Sequence, residues 1–538
     1  MMPDQIELAP DYYLDNFLKL TQHANDWYLD FLTDSELSWL SRFDAITHPA
    51  KCLLVRLLSR KGCWFRSDKL NYTEIPRLDS ALLELQSHGF IHINGKVSQR
   101  LLAETLLTKT ELCTLFSVSN KSLRKELLLA ELSDDDFDQF SSLNFDVIEL
   151  LDPQFIEVLL TLFFANTHQD LSQFVLDDLG LNRFEDYQLS QQRRFFQSRS
   201  QVDQLLSLAE IQSQYLNGNR KESVELLSLL EALPQNIEHP YIARKRQHLI
   251  NDLARDLERL ELFSDALHWF RQTDLPPTLE RQARIYDKIN DINGMSDIVT
   301  QMLEQPHDVA EYEVALKLKQ RLRRKLGEKV PRPPKPKLDE YHLSLDHSSQ
   351  RVELAVKQHF ENLGYQVFYA ENALLNGLFG LTFWDAIFAP IEGAFINQYQ
   401  HQPLDLYHSD FGKKRDSVIR QALATLEAGG LSTLNQTYSD KIGISNPFVH
   451  WGAFDQSLLS ACIECMPASL VSELFSVMLT DLKLYRNGMP DLMLFKDGQY
   501  EWVEVKGPGD KLQDNQWRWI ERFLTLGVNM KVCYVKAL

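Results

Sequence analysis

Residues 488–516 read GMPDLMLFKDGQYEWVEVKGPGDKLQDNQ. Two apolar, strand-forming runs, DLMLF (491–495) and EWVEV (501–505), flank KDGQY, whose Asp-Gly pair predicts a tight hairpin. A strand has period two, so Glu504 and Lys506 share one face and Val503 and Val505 the other. The hairpin brings Asp491, at the start of the first strand, near Glu504. Two acids and an amine are thus gathered where a strand would ordinarily carry apolar or solvated side chains. Gly507 and Gly509, on either side of Pro508, suggest close backbone approach to something.

That set suits phosphodiester hydrolysis. Paired carboxylates hold hard divalent ions such as Mg²⁺ or Mn²⁺. Such an ion lowers the pKa of its water and stabilises the attacking or leaving oxygen. A lysine beside it orients water or offsets phosphate charge. The competing reading is an acid–lysine cluster on a solvated sheet face, since a bare E-x-K is common. The Pro-Asp strand start, the short hairpin and VEVKGP together favour the catalytic reading.

Outward from this hairpin, RVELAVKQHFENLGYQVFYAEN (351–372) reads as a helix then a strand, a helix is expected at about 513–525, and KVCYV (531–535) is a final strand. Helix, strand, hairpin, helix and strand predict a mixed α/β domain over 340–538. A basic, proline-rich segment at 329–339, including VPRPPKPK, reads as an extended linker. The cations before and within it form the densest positive cluster of the chain and favour a phosphate-facing role. Residues 196–328 are almost wholly helical, and ARDLERLELFSDALHWFRQTD resembles a tetratricopeptide-type helix pair without a strict repeat. In the region 105–195, TLLTKTELCTLFSVSNKSLRKELLLAE resembles a SAP motif. Thr108 or Thr110 is expected to cap its first helix and Ser119 or Asn120 its second. Lys121, Arg124 and Lys125 would touch DNA phosphates. Within 1–104, two amphipathic helices, the strand-like FIHI and an Asn-Gly turn outline a winged helix, with Arg56, Arg60, Lys61 and Arg66 as its cations.

The net charge of −19 argues mildly against nucleic acid, although local clustering of cations decides that question. No apolar run reaches the length of a membrane span, so no membrane partner is expected. Six cysteines in 538 residues are no disulfide framework and point to a reducing compartment. Cys462 and Cys465 lack a second ligand pair and read as buried thiols in a helix. His408-Ser409-Asp410 reads as loop. No phosphate-binding Gly-x-x-x-x-Gly-Lys-Ser/Thr motif suggests ATP use.

GMPDL and VEVKGPGDKLQDNQ resemble the VRR-Nuc branch of the PD-(D/E)xK nucleases. FGLTFWDAIF and QPLDLY extend the likeness across 340–538 to the Fanconi-associated nuclease family in a compact, bacterial-type form. The resemblance implies a multidomain, mainly α chain with a C-terminal α/β nuclease domain, N-terminal winged-helix and SAP-like regions and central TPR-like repeats. It implies Asp491, Glu504, Glu371 and the Val505 carbonyl as ligands of Mg²⁺ or Mn²⁺, in a two-metal site. Asp491, Glu504 and Lys506 would be catalytic, with Gln516 in support. It implies a 5′-flap endonuclease and 5′-to-3′ exonuclease acting in DNA repair, including interstrand crosslinks. The partner would be branched DNA whose 5′-phosphate sits in a basic pocket away from the metals, to which Arg281 and Arg284 would contribute by position. The expected setting is the bacterial cytoplasm, at the nucleoid. Two alternatives stay open: a restriction-type sequence-specific endonuclease and a non-catalytic DNA-repair scaffold.

Overall fold

The computed structural model describes residues 9–118, 122–166, 169, 183–331 and 336–537. It divides into two compact units, residues 1–181 with 196–209, and residues 182–195 with 210–538.

In the first unit, helices α1 (Tyr12–Tyr28), α2 (Asp34–Ala45), α3 (His48–Leu58) and α4 (Leu78–Ser87) bury an aromatic cluster of Phe17, Trp39, Phe43 and Phe90. Strands β1 (Trp64–Arg66) and β2 (Ile91–Ile93) do not pair with each other. Both pair antiparallel with β3 (Val147–Leu150), in the order β1-β3-β2. The strand before the Asn-Gly turn therefore takes a partner distant in the chain. Asn94, at φ 52°, donates its N–H to Val147 O at 2.7 Å and accepts from Val147 N at 2.9 Å. Two of the expected DNA-facing arginines are engaged within the fold. Arg56 pairs with Glu74 at 2.8 Å over the Tyr13 ring, and buried Arg66 pairs with Asp68 and Glu111.

Next come α5 (Gln99–Thr105), α6 (Lys109–Leu115), the one-turn α7 (Lys125–Leu129) and α8 (Phe155–Phe164). Thr108, rather than Thr110, caps α6, and Glu111 returns the bond to the Thr108 N–H. Such a reciprocal cap satisfies two otherwise orphaned donors. Lys125 Nζ donates to the carbonyls of Glu104 and Leu107 at 3.0 and 2.8 Å, so it stitches this region together. Arg124 is exposed at the start of α7. Ser119, Asn120 and Lys121 lie outside the described residues.

A helical series follows: α9 (Arg199–Asn217), α10 (Ser223–Glu231), α11 (Pro240–Arg259), α12 (Phe263–Phe270), α13 (Thr278–Lys288), α14 (Ile292–Glu304) and α15 (Val309–Lys325). Neighbouring helices from α10 onward pack in sequence, as helical-hairpin arrays do. Small and flexible core residues, Ala283, Met295, Met302 and Ala315, let α13, α14 and α15 approach.

The C-terminal sheet has the order β4-β8-β7-β6-β5: β4 (Glu340–Leu345), β5 (Gln366–Tyr369), β6 (Leu492–Lys496), β7 (Gln499–Lys506) and β8 (Met530–Ala537). β6 and β7 form the hairpin, with Leu492 opposite Val503. Asp497 and Gly498 both take positive φ, as a two-residue turn of this kind requires. β4 runs parallel to β8 as an edge strand. α16 (Val352–Asn362) covers one face through Val356 and Phe360, against Leu492, Leu494, Val503, Val505 and Cys533.

The opposite face carries a larger layer: α17 (Leu374–Thr382), α18 (Trp384–Ile387), α19 (Phe411–Lys414), α20 (Asp416–Gly429), α21 (Leu434–Lys441), α22 (Gln456–Cys465), α23 (Ala468–Thr480), α24 (Leu482–Tyr485) and α25 (Asp514–Leu526). Cys462 is fully buried in α22, while Cys465 is half-buried. No single helix among the described residues is long and apolar enough to cross a membrane.

Candidate active site

Strand alternation decides which residues meet. Trp502, Glu504 and Lys506 face the large helical layer with Met493 and Phe495, while Val503 and Val505 enter the apolar layer under α16. Asp491, two residues before Met493, falls on the same face as Glu504. All three polar side chains are nearly closed off from solvent: Glu504 is 1% exposed, Asp491 and Lys506 8% each. The sheet is therefore covered on both faces, and the strand is not a solvated one. That removes the surface-cluster reading.

Each group is held from a different element. Asp491 Oδ2 accepts the Val505 N–H at 2.8 Å, in the ladder position just past the end of β6. A residue's N–H and C=O leave a strand on the same edge. The Val505 carbonyl thus faces the Asp491 side too. Glu504 Oε1 takes Lys506 Nζ at 2.7 Å and Gln516 Nε2 at 2.6 Å. Gln516 Oε1 in turn accepts the Gln513 N–H at 3.0 Å, so the start of α25 fixes the amide that fixes Glu504. Gly488 makes this junction possible: a Cβ there would come within 2.7 Å of the Asn515 carbonyl oxygen.

Glu371 follows β5, whose end is joined to the hairpin by the Ala370 N–H donating to Asp491 O at 2.8 Å. Its carboxylate accepts from Tyr369 OH at 2.5 Å and from Asn372 Nδ2 at 3.3 Å. Glu371 acts electrostatically on both Asp491 and Glu504. It does not close with them into one tight donor cluster. Among the described residues, the three-donor cluster with all ligand atoms within 4.8 Å is Asp11, His48 and Cys52, in the first unit. Two residues absent from the sequence reading hold the approach to Asp491. Asn372, in the left-handed conformation at φ 53°, accepts the Met489 N–H at 3.2 Å, and Asn376 donates to Arg486 O at 2.8 Å. An Asn just after a strand, in a conformation few residues tolerate, was the available signal.

The electrostatics are unbalanced. Burial lifts the Asp491 pKa well above the usual carboxylate range. Glu371 adds to the shift, while the Val505 N–H and Lys506 oppose it. Glu504 is lifted likewise, by burial first and then by Asp491, against the pull of Lys506. One ammonium does not balance this many acids, so the site is short of positive charge.

The arginines expected near a 5′-phosphate are committed elsewhere. Arg281 Nε donates to buried Glu258 at 2.7 Å, with a second bond from its other end, and Arg284 pairs with Glu280 one turn away. A different cluster lies open. Arg244 and His248 of α11, His408, and Lys483 of α24 line a cavity of about 340 Å³. Asp308 and Asp481 also line it, but they cap α15 and α24. Burial lowers the pKa of His248, with Arg244, Lys483 and His408 adding to the shift. Neither Arg244 nor Lys483 has an ion-pair partner among the described residues.

Two family models match the chain: "FAN1, HTH domain" over residues 11–92 and "VRR-NUC domain" over 427–537. A Fanconi-associated nuclease 1 homolog of Pseudomonas aeruginosa is 34% identical, covering 98% of this chain and 96% of its own. The chain belongs to the Fanconi-associated nuclease family. A homolog from Arabidopsis thaliana is 24% identical over 97% of this chain and 67% of its own. Among solved structures, paFAN1 bound to 2nt 5'flap DNA with gap superposes with a TM-score of 0.86 at 33% identity, covering all of both chains. The same protein on a 1nt 5'flap gives 0.84 over 98% of this chain and 100% of that one. The mainly helical fold with a small C-terminal nuclease sheet is that of the family.

Proposed function

We propose that this nuclease cuts branched DNA near 5′ flaps in DNA repair, using divalent metal held by Asp491, Glu504, Glu371 and the Val505 carbonyl. The observation that carries the reading is the buried Asp491–Glu504–Lys506 set, with its excess of negative charge. Buried acids held above their ordinary pKa are costly in the metal-free protein, and a hard divalent ion offsets that cost. The donor set fits Mg²⁺ or Mn²⁺, since every group is a hard oxygen. When bound, the metal would supply Lewis-acid activation of water and charge neutralisation at the phosphorus.

The chain's own residues do the rest. Gln516 and Lys506 hold Glu504 Oε1, leaving Oε2 for a ligand. The Val505 N–H holds Asp491 Oδ2, leaving Oδ1. Lys506, 2.7 Å from Glu504, carries the ammonium that orients the attacking water or offsets phosphate charge. Glu371 joins by turning away from Tyr369. The Arg244–His248–Lys483 cavity, rather than Arg281 and Arg284, is the place for a 5′-phosphate, because neither Arg244 nor Lys483 is in a direct ion pair among the described residues and the lining acids Asp308 and Asp481 are engaged as helix caps.

The flap-bound paFAN1 structures support the choice of substrate. A restriction-type enzyme would cut plain duplex at defined sequences, and a scaffold would not cut at all. A 5′-labelled panel of flaps, forks and duplexes with Mn²⁺ separates the three. The expected result is cutting that depends on the branch and is abolished in Asp491→Ala and Lys506→Ala. Wild-type cutting by either variant would overturn the site assignment, and equal cutting of plain duplex the substrate.

A further inference from the structure

The first unit contains a donor cluster that the nuclease chemistry does not use. Asp11 immediately precedes α1, and His48 and Cys52 are four apart on α3, so their side chains lie on one helix face. One carboxylate oxygen, one imidazole nitrogen and the Cys52 sulfur all lie within 4.8 Å of one another. Asp11 Oδ2 is 3.0 Å from His48 Nε2. Asp11 stands at the N-cap of α1 yet makes no side-chain cap there. Its carboxylate turns instead toward α3.

Zinc bonds oxygen and nitrogen at about 2.0–2.2 Å and sulfur at about 2.3 Å, so donors around one tetrahedral ion lie roughly 3.3–3.7 Å apart. Asp11 Oδ2 and His48 Nε2, at 3.0 Å, are slightly closer than that, and the Cys52 sulfur lies within 4.8 Å of both. Cys52 is fully buried, whereas Asp11 and His48 reach solvent. A cation would enter from the solvent side and meet the sulfur at the base of the site. Burial raises the thiol pKa against a hydrogen bond with Tyr13; the Asp11 and Glu74 charges add to the rise and Arg56 opposes it. The surrounding charge is acidic enough for a cation, because the nearby Arg56 is already paired with Glu74 at 2.8 Å.

We propose that Asp11, His48 and Cys52 form a second metal site, for a zinc-class divalent ion, with its fourth position open to water. The mixed oxygen, nitrogen and sulfur set favours borderline-soft ions over Mg²⁺. Bound metal would tie the chain entering α1 to α3.

Cobalt(II) titration of the full-length protein in excess Mg²⁺ tests this. A thiolate-to-cobalt charge-transfer band in the near ultraviolet reads this site and not the nuclease centre. The one cysteine of the sheet, Cys533, lies in the apolar layer under α16, on the face opposite Glu504. The expected result is one such equivalent per chain, a band lost in Cys52→Ala, and affinity reduced roughly tenfold or more in His48→Ala and Asp11→Asn. His48 and Asp11 reach solvent, so those variants keep the test open if Cys52→Ala does not fold. Flap cutting by His48→Ala should be unchanged. Absence of a thiolate band at saturating Co²⁺, or a band of unchanged affinity in His48→Ala, overturns the proposal.

Discussion

The helical repeats and the nuclease sheet both bury carboxylates, and they treat them in opposite ways. In the repeats, Asp256 takes Arg220 at 2.7 Å, Arg259 and the Tyr215 hydroxyl, while Asp287 takes Arg321 at 2.5 Å and Lys325. Burial alone would raise their pKa values, yet these partners carry both below the ordinary range. In the sheet, Asp491 and Glu504 are as little exposed, lie deeper and share one ammonium, and both are raised. Buried charge that is fully paired serves the fold, whereas charge left over waits for something outside the chain. The Arg244–His248–Lys483 cavity is the cationic counterpart: among the described residues neither Arg244 nor Lys483 is in a direct ion pair, and the acids beside them, Asp308 and Asp481, cap helices.

The strongest way to break this comparison is to remove one surplus charge. Asp491→Asn keeps an oxygen for the Val505 N–H and loses a metal ligand. Flap cutting should fall on the order of 10³-fold. The metal-free protein should become more stable, because the amide replaces a charge that burial penalises. Calorimetry beside a cleavage assay checks both. A variant that is inactive and also less stable would mean that Asp491 is a paired, structural acid like Asp287.

The converse substitution is Asp287→Ala, which leaves Arg321 and Lys325 without their shared acid. Stability should fall by about 2 kcal/mol, less than for a fully buried pair because Arg321 is partly solvated. Urea denaturation measures it. The rate of cutting at saturating substrate should stay within about twofold, since no catalytic charge is touched.

Charge deficit was only partly visible in the sequence. The hairpin, its Asp-Gly turn and the shared face of Glu504 and Lys506 follow from local period and turn chemistry, and the structure has them. Glu371 came from family resemblance, because nothing local marks a lone glutamate. The helical layer over 374–485 and the pairing of β3 with β1 and β2 depend on long-range packing, which local periodicity does not specify. Arg281 illustrates the limit: on a helical surface it reads as a free cation, but Glu258, 23 residues earlier, neutralises it. Conversely, Arg244 and His248 are one helical turn apart but Lys483 lies more than 200 residues on, and only folding sets them around one cavity.

A smaller effect sharpens the mirror image. Arg244→Ala should weaken cutting of 5′-phosphorylated flaps by roughly tenfold and leave 5′-hydroxyl flaps nearly unaffected. The ratio of the two substrates is the readout, since a merely structural role would depress both alike. If Arg281→Ala changed that ratio and Arg244→Ala did not, the phosphate would belong with Arg281 after all.

The smallest prediction concerns pH, and its sign separates the two classes of acid. A carboxyl raised by the fold holds its proton more tightly when folded. Its fold is therefore most stable below the unfolded value, near pH 4, and loses stability as pH rises through the folded value. Asp491 and Glu504 belong to this class. Asp256 and Asp287 are lowered, so their contribution is present above about pH 4 and is lost on acidification. In metal-free protein, the stability gained by Asp491→Asn should thus grow between about pH 5 and pH 8, by on the order of 1 kcal/mol. The loss caused by Asp287→Ala should stay flat over the same interval. Saturating Mn²⁺ should reverse the Asp491→Asn difference, because the metal then stabilises only the ionised wild-type site. Parallel pH profiles for the two variants would show that the sheet acids are paired as fully as those of the repeats.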